Sequence, residues 1–305
     1  METKQEILNI NGISTHTYQL GNQSLSSKTI VIIPGNPGLG GFYIPFAHEL
    51  YNLFNENISI LVISQAGHSP PLKHCFTLNE QIEHKLQAIK QLVPNNSNHQ
   101  LILIGHSIGA YMVLNMLDKL ENKLNRAFLL FPTIERMGES DAGQRFIRLY
   151  PILIYLLPFL CFIANILLPF DWLKRKIISY YFSQSPVNDR EILIDTVLYD
   201  LLNPLAIKNL LQMANEEMSV VKKRNDEIIK RPSGTGNNSY IHPESDEYGR
   251  RHFSISSNQN QHETTEDDNE NQNDKPNILL SSSKAKWFDA VRTVKQLKEN
   301  KVRYY

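Results

Sequence analysis

Short apolar runs alternate with amphipathic segments along the first half of the chain. The runs are rich in β-branched and aliphatic residues, as expected of strands covered on both faces of a parallel sheet, and occupy residues 29–33, 58–64, 100–104 and 127–131. Segments whose apolar residues recur with helical spacing lie between them, at 44–54, at 78–92 and from Tyr111 onwards. This alternation predicts an α/β fold, a doubly wound and mostly parallel sheet.

The third of these strands runs directly into the sequence Gly-His-Ser-Ile-Gly at residues 105–109, and a helical pattern follows. A strand, a sharp turn and a helix in this order form a nucleophile elbow, with Ser107 as the predicted nucleophile. Gly105 and Gly109 are required because a side chain at either position would collide with the adjoining strand or helix. The backbone N–H of Ile108, at the start of the helix, is predicted to stabilise an oxyanion.

A glycine-rich loop, PGNPGLGG, follows the first strand at residues 34–41. In serine hydrolases of this architecture, the loop after the corresponding strand supplies the second N–H of the oxyanion hole. By its position in the loop, Asn36 is predicted to supply that N–H. A tight turn without a ligand remains the alternative, and the elbow elsewhere in the chain favours the functional interpretation.

Several motifs together resemble the lipid droplet-associated hydrolase family. They are IPGNPG at 33–38, FY at 42–43, GH at 67–68, NEQIEHK at 79–85, GHSIGAY at 105–111 and LFPTIERM at 130–137, with a looser similarity up to residue 230. The resemblance implies an α/β-hydrolase fold, a serine nucleophile and an esterase activity on neutral lipids, in particular sterol esters. It also implies a location at the lipid droplet surface or the cytosolic face of the endoplasmic reticulum.

The charges and cysteines of the chain exclude some classes of protein. Lys and Arg number 31, as do Asp and Glu, so no basic field is available to bind nucleic acid. Two cysteines, Cys75 and Cys161, indicate a reducing compartment rather than a disulfide framework. The N-terminal residues lack the pattern of a secretory signal, and we expect cytosolic synthesis. We predict no cofactor and no metal, since His84 has no second ligand at metal spacing.

Residues 149–170 form an apolar stretch of 22 residues without a charge. Its prolines, Pro151, Pro158 and Pro169, are expected to divide it into halves too short to span a bilayer. We therefore predict a hairpin or amphipathic pair that docks on a lipid monolayer. The docking residues are predicted to be Leu149, Ile152, Leu156, Phe159, Phe162 and Leu167. The alternative is an apolar helical cap that is buried over the active site.

The motifs that identify Ser107 do not identify the acid and the base of a catalytic triad. Beyond Ser107 the histidines are His242, His252 and His262, all within a polar stretch at 231–277 that is predicted to be disordered and unable to hold a base. By resemblance, the acid-bearing loop and a Pro-His pair would follow the strand that residues 301–305 begin. We therefore expect the chain to lack the acid and base and to have little turnover.

Three other residues are candidates for the site. Glu135 follows the strand after the elbow, where some relatives of the fold carry the acid, although a surface glutamate is the simpler interpretation. His106 is expected to point away from the hydroxyl, and His68 is a candidate for lining the substrate pocket. None of the three fits the order Ser, acid, His that the fold requires.

The predicted organisation has five parts. They are an α/β-hydrolase core at 1–144, an apolar cap or docking insert at 145–182, a helical return at 183–230, a disordered polar insertion at 231–283, and a helix with the start of a core strand at 284–305. Two other functions remain open. One is a non-catalytic lipid-surface protein with this fold, and the other is a cytosolic acyl hydrolase or thioesterase whose apolar insert is a lid.

Overall fold

The computed structural model describes most of the chain up to residue 223 and two short segments beyond it. The described residues are 3–23, 26–54, 58–72, 74–96, 98–120, 123–183, 185 and 187–223, with the backbone alone at 187–188, 238–245 and 251–258. The helix and strand predicted within 284–305 lie outside the described residues.

The strands of the described residues form one mixed sheet. They are β1 Lys4–Ile10, β2 Ile13–Leu20, β3 Lys28–Ile33, β4 Ser59–Ile63, β5 Gln100–His106, β6 Leu124–Leu130, β7 Asn238–Ser245 and β8 Arg251–Asn258. Their order in the sheet is β1-β2-β4-β3-β5-β6-β8-β7. The central strands β4, β3, β5 and β6 are parallel, and the strands at both edges are antiparallel.

The four strands predicted from apolar runs are confirmed as β3 to β6. The hairpin of β1 and β2 was not predicted. It turns at Asn11 and Gly12, whose φ values of 48° and 83° fit a two-residue hairpin turn. In this hairpin β2 is well buried, whereas β1 at the edge of the sheet is mostly exposed. β1 therefore lacks the apolar run by which β3 to β6 were predicted.

The helices lie on both faces of the sheet and in an insert after β6. They are α1 Ile44–Leu53, α2 Leu78–Leu92, α3 Ile108–Leu120, α4 Asp141–Leu167, α5 Asp171–Tyr181, α6 Val187–Asp195 and α7 Pro204–Val220. A 3₁₀ turn, Gly40–Tyr43, precedes α1, and a π-helix, Thr196–Leu201, follows α6.

Each central strand serves two separate hydrophobic cores. Val31 and Ile33 of β3 belong to a core that includes buried side chains of α2 and α3, whereas Ile30 and Ile32 belong to a core with α1 on the other face. Successive side chains of a strand point to opposite faces, which is why neighbouring residues separate in this way. The predicted doubly wound α/β fold is confirmed.

The prediction that prolines divide the apolar insert into two short halves was wrong. Residues 141–167 form one continuous helix, α4, that contains both Pro151 and Pro158. One stripe of α4, with Gly143, Ile154 and Cys161 buried, packs against the body of the protein, where α7 is its main partner. This packing outweighs the local cost of the prolines, as tertiary context commonly overrides helix propensity.

The predicted hairpin also differs in its packing. α4 and α5 are joined by residues 168–170, but α4 packs on α7, whereas α5 packs on α6 and on the π-helix. One side-chain contact joins the two helices, from Lys174 Nζ to Asn165 Oδ1 at 2.9 Å.

The prediction of disorder for 231–283 was wrong for the residues of β7 and β8, and the rest of that range lies outside the described residues. β8 pairs with β6, and β7 pairs with β8 at the edge of the sheet. Phe253 and Ile255 alternate with serines in β8, a period of two that suits a strand added to an open edge. Pro243 lies in the edge strand β7, where a missing N–H is tolerated.

Candidate active site

Ser107 occupies the sharp turn between β5 and α3. Its φ is 53°, in the left-handed region that a residue with a side chain rarely adopts. Hydrogen bonds hold this conformation, since its N–H donates to the Leu130 carbonyl at 3.0 Å and its own carbonyl accepts from the N–H of Ala110 at 3.0 Å. The side chain is partly exposed rather than enclosed in the core. The predicted nucleophile therefore lies at the carboxyl end of β5 in a residue that is partly exposed.

The two glycines of the elbow lie where no side chain fits. A Cβ on Gly105 would lie 2.6 Å from the carbonyl oxygen of Gly109, and one on Gly109 would overlap the carbonyl oxygen of Ile33. Real Cβ atoms do not approach backbone oxygens this closely, so β5 and α3 could not keep their positions. This geometry agrees with the steric reason for which Gly105 and Gly109 were predicted.

The glycine-rich loop after β3 lies directly against the elbow. A Cβ on Gly35 would meet the carbonyl oxygen of His106 at 2.9 Å. The N–H of Gly38 donates to the Gly35 carbonyl at 2.7 Å, which closes a turn with Asn36 inside it. Asn36 thus follows a residue in contact with the nucleophile turn, and Ile108 is the first residue of α3. Ile108 thus follows Ser107 directly, and Asn36 follows the residue that contacts Ser107, while their role as oxyanion donors stays a prediction.

His106 and Tyr43 form a second link between the two loops. Tyr43 Oη accepts a hydrogen bond from the Gly35 N–H at 2.7 Å and lies 2.9 Å from Nδ1 of His106. The His106 ring also makes edge contacts with the rings of Tyr43 and Phe131. The His106 ring is thus held by Tyr43 and Phe131, and its orientation away from the Ser107 hydroxyl stays a prediction.

His68 supports the glycine-rich loop at residues 34–41, the proposed oxyanion loop. Its side chain is buried, and its Nδ1 lies 2.6 Å from the carbonyl oxygen of Pro37, to which it donates. Burial lowers the pKa of His68 to about 4, so the ring is neutral at physiological pH. The expectation that His68 lines the substrate pocket is not supported, because the residue is only 1% exposed and its ring is bonded to the Pro37 carbonyl.

Glu217 is a buried acid beside the oxyanion loop that the sequence reasoning did not single out. The Asn36 side-chain amide donates to the Leu210 carbonyl at 2.9 Å and to Glu217 Oε1 at 3.4 Å. Burial raises the pKa of Glu217 to about 7, although the hydrogen bond from Asn36 opposes this shift. In the sequence, Glu217 is a carboxylate within the apolar pattern of α7. Periodicity alone would place such a residue on the solvent-facing side of the helix.

Two histidine–aspartate pairs connect the insert to the core. His48 Nδ1 of α1 contacts Asp189 Oδ1 of α6, and His16 Nδ1 of β2 lies 3.6 Å from Asp200 Oδ1 of the π-helix. Burial raises the pKa of Asp200 to about 6. These pairs hold the segment after α5 to the core near the oxyanion loop, and they join residues too distant in sequence to be predicted.

The acid and base of a triad are not assigned by the described side chains. Glu135 lies after β6 and is exposed, and its neighbour Arg136 forms an ion pair with Glu139. His242 and His252 lie in β7 and β8, where the backbone alone is described, and His262 lies outside the described residues. Within the described part of the chain, the site therefore consists of the nucleophile and the candidate oxyanion hole.

The apolar surface of α4 is exposed along its whole length. The six predicted docking residues are all exposed, with Leu156 the least at 42% and Leu167 the most at 73%. In the described part of the chain, α4 is the one helix whose length and composition would allow it to cross a membrane. At about 1.5 Å per residue, its 27 residues extend for about 40 Å. Phe170, Trp172, Tyr180 and Tyr181 continue this surface along α5.

The order of the first six strands, β1-β2-β4-β3-β5-β6, and the strand–turn–helix at Ser107 are those of an α/β-hydrolase, whereas the antiparallel pair β8-β7 at the edge is not part of that pattern. The chain belongs to the lipid-droplet associated hydrolase family, whose sequence model matches residues 26–254. This confirms the resemblance found from the motifs. The α/β-hydrolase fold and a hydrolase class follow for this chain.

Named relatives match over most of the chain. The lipid droplet-associated hydrolase of Mus musculus is 34% identical over 71% of this chain and 70% of its own length. The protein of the same name from Homo sapiens is 36% identical, over 66% of this chain and 65% of its own length. That from Drosophila melanogaster is 32% identical over 74% and 78%, respectively. Among solved structures, an epoxide hydrolase, CorEH without ligand, matches with a TM-score of 0.47 and 14% identity, covering 71% of this chain and 74% of that chain.

Proposed function

We propose that this protein is a serine hydrolase that cleaves carboxylic esters of neutral lipids at the surface of lipid droplets or at the cytosolic face of the endoplasmic reticulum. The observation that carries the proposal is the strained Ser107, whose partly exposed side chain lies against the glycine-rich loop of Asn36. The names of the relatives support the hydrolase class and the droplet location. Sterol esters are the proposed substrates by family resemblance.

In the proposed reaction, Ser107 Oγ attacks the carbonyl carbon of the ester. The carbonyl oxygen becomes an oxyanion that accepts hydrogen bonds from the N–H groups of Ile108 and Asn36. Collapse of this intermediate releases the alcohol and leaves an acyl-serine, which water hydrolyses to the fatty acid. A base must take the proton of Ser107, and triad deletions indicate that without one the rate falls about a millionfold.

The exposed face of α4 supports docking on a lipid surface. Its large apolar side chains, Leu149, Ile152, Leu156, Phe159, Phe162 and Leu167, would otherwise remain in water, at a cost that grows with their exposed area. Arg145 and Arg148 are exposed near one end of this face, and Lys176 is exposed beyond the other, whereas the adjacent Lys174 and Arg175 are already paired with carboxylates of the protein. Such cations favour the anionic headgroups of a monolayer.

A second candidate is a non-catalytic lipid-surface protein that keeps the fold and the docking surface. The observation that favours it is that, among the side chains that the structure describes, no histidine follows Ser107 in the sequence to act as its base. The two candidates share the predicted docking surface and differ in the reactivity of Ser107.

A fluorophosphonate probe distinguishes these candidates because it forms a covalent bond with an activated serine. For an enzyme we expect covalent modification of Ser107 in the full chain, identified by peptide mass spectrometry. The modification should disappear in Ser107→Ala and remain in Ser14→Ala, a change in β2 away from the elbow. Absence of modification in the folded wild type at high probe concentration would overturn the enzyme assignment in favour of the non-catalytic candidate.

A further inference from the structure

Tyr43 is a buried side chain that neither the proposed reaction nor the docking surface uses. It ends the 3₁₀ turn before α1, and its side chain is only 4% exposed. Its hydroxyl accepts a hydrogen bond from the Gly35 N–H, because a backbone N–H can only donate. The proton of the same hydroxyl then has an acceptor in Nδ1 of His106, 2.9 Å away. Burial raises the pKa of Tyr43, so the hydroxyl stays protonated and able to donate.

The two partners of this hydroxyl belong to the two halves of the oxyanion hole. Gly35 immediately precedes Asn36, and His106 immediately precedes the Ser107–Ile108 pair. Both hydrogen bonds are short enough to fix these segments relative to each other. The donors of an oxyanion hole must lie about 2.7–3.1 Å from the developing charge, and a displacement of about 1 Å can reduce a rate about a hundredfold.

We propose that Tyr43 is a positioning residue whose hydroxyl joins the oxyanion loop to the nucleophile turn. The role of the hydroxyl rests on the proposed function, whereas the link itself is a property of the fold. In the tautomer that carries its proton on Nε2, a neutral His106 accepts this hydrogen bond at Nδ1.

The rival interpretation is that Tyr43 only fills the core. Its ring packs with Ile44, Phe46 and Tyr51 in the core on the α1 side of the sheet. Tyr43→Phe separates these roles because it keeps the ring and removes only the hydroxyl. Tyr51→Phe is the matched control, since Tyr51 is a buried tyrosine of the same core but lies on α1 away from the elbow.

The first measurement is the rate at which a fluorophosphonate modifies Ser107 in the full chain. We expect Tyr43→Phe to reduce this rate about 10- to 100-fold, within the range found when oxyanion donors are disturbed. Tyr51→Phe should modify at the wild-type rate, and circular dichroism with thermal unfolding checks that each variant folds. A Tyr43→Phe protein that folds and reacts at the wild-type rate would overturn the positioning role.

His106→Phe provides a second variant that removes the other end of the link and keeps an aromatic ring. Because both changes break one connection, the double variant should react no more slowly than the slower single variant. If the losses of rate in the two single variants add fully in the double variant, the two residues do not act through one shared link. If Tyr43→Phe proves too unstable to assay, His106→Phe alone tests the link, and a folded His106→Phe protein that reacts at the wild-type rate would overturn the positioning role.

The third measurement does not depend on reactivity. Nitrogen-15 NMR of the histidine rings should show His106 with an unprotonated Nδ1 and a protonated Nε2 in the wild type, and Tyr43→Phe should shift the Nδ1 resonance. Because a protonated Nδ1 would donate to Tyr43 Oη and keep the contact, the outcome that would overturn the link is an Nδ1 resonance that is the same in Tyr43→Phe and in the wild type. If wild-type Ser107 does not react with the probe, the proposed function fails, and the NMR result still decides whether Tyr43 joins the two loops.

Discussion

A Cβ atom on Gly35 would lie 2.8 Å from the Cβ of Ser107. The loop that carries Asn36 and the turn that carries the nucleophile are therefore in contact, with no space for a side chain between them. Asn36 and Ile108, the proposed oxyanion donors, each follow one of the two residues in this contact, so we expect its width to determine whether both N–H groups can reach one oxygen.

Gly35→Ala should disturb the site more than the fold. The added methyl would also lie 2.9 Å from the His106 carbonyl oxygen, so one of the two loops must move. We expect the rate of Ser107 modification by fluorophosphonate to fall about 100-fold or more, as when an oxyanion donor is lost. We also expect a loss of about 1–3 kcal/mol in the free energy of unfolding, measured by denaturant titration.

Gly12→Ala is the control for this prediction. Gly12 has open space where a Cβ would lie, but its φ of 83° makes the change costly to the backbone alone. It should therefore reduce stability without affecting the reaction of Ser107. If Gly35→Ala reacts as fast as Gly12→Ala, the close contact of the two loops does not control the site.

The elements around the nucleophile were predictable because their signals are local. The buried strand β5, the glycines at 105 and 109 and the helix α3 are adjacent in sequence, so each supports the assignment of the others. The same holds for the loop at Asn36, which directly follows β3. Local consistency of this kind is the strongest signal that a single sequence contains.

The contacts that support the site were not predictable in this way. Glu217 lies 181 positions from Asn36 along the chain, and Tyr43 lies 63 positions from His106. Hydrophobic periodicity indicates that a helix buries one face but does not indicate which polar group that face contacts. The continuous helix α4 illustrates the same limit, because packing on α7 decides its course through Pro151 and Pro158.

Glu217→Gln should change how stability depends on pH. Burial raises the pKa of Glu217 from 4.5 to about 7, so the folded state binds its proton more tightly than the unfolded state. The wild type therefore loses stability as the pH rises from about 4.5 to 7, by up to about 3 kcal/mol from this group. Glutamine cannot ionise and keeps an acceptor for Asn36, so the variant should lack this loss.

The measurement is the free energy of unfolding of both proteins between pH 4 and 8, about the range over which a shifted carboxyl titrates. The difference between variant and wild type should grow with pH and level off above about 7. Glu216→Gln is the control, because its carboxyl is adjacent in sequence but less buried. Equal pH profiles for the two variants would contradict a special role of Glu217.

Lys85→Met should have the opposite pH dependence. Lys85 is fully buried on α2, where its Nζ donates to the Ser64 carbonyl at 2.9 Å. Burial lowers its pKa from 10.5 to about 7, so the unfolded state binds more protons between these values and wild-type stability rises with pH there. Methionine removes this rise, although the Ser64 carbonyl loses its partner at every pH.

Unfolding titrations between pH 7 and 10, about the range over which the lysine titrates, should therefore give a steeper profile for wild type than for Lys85→Met. Lys90→Met is the control, since Lys90 is exposed on the same helix and its removal should leave the slope unchanged. A wild-type slope that survives in Lys85→Met would mean that another group causes the rise.

Charges placed on the exposed face of α4 should prevent lipid binding without unfolding the protein. Ile152 and Phe159 are 60% and 58% exposed, so aspartate at both positions replaces no core contact. Two carboxylates in this face oppose its burial among acyl chains and repel anionic headgroups. In flotation with artificial droplets covered by a phospholipid monolayer, we expect wild type to rise with the lipid and the double variant to remain in the aqueous fraction. Ile7→Asp is the matched control, because Ile7 is 56% exposed but lies on the edge strand β1. If the double variant floats as well as Ile7→Asp does, α4 is a cap helix and another surface binds the lipid.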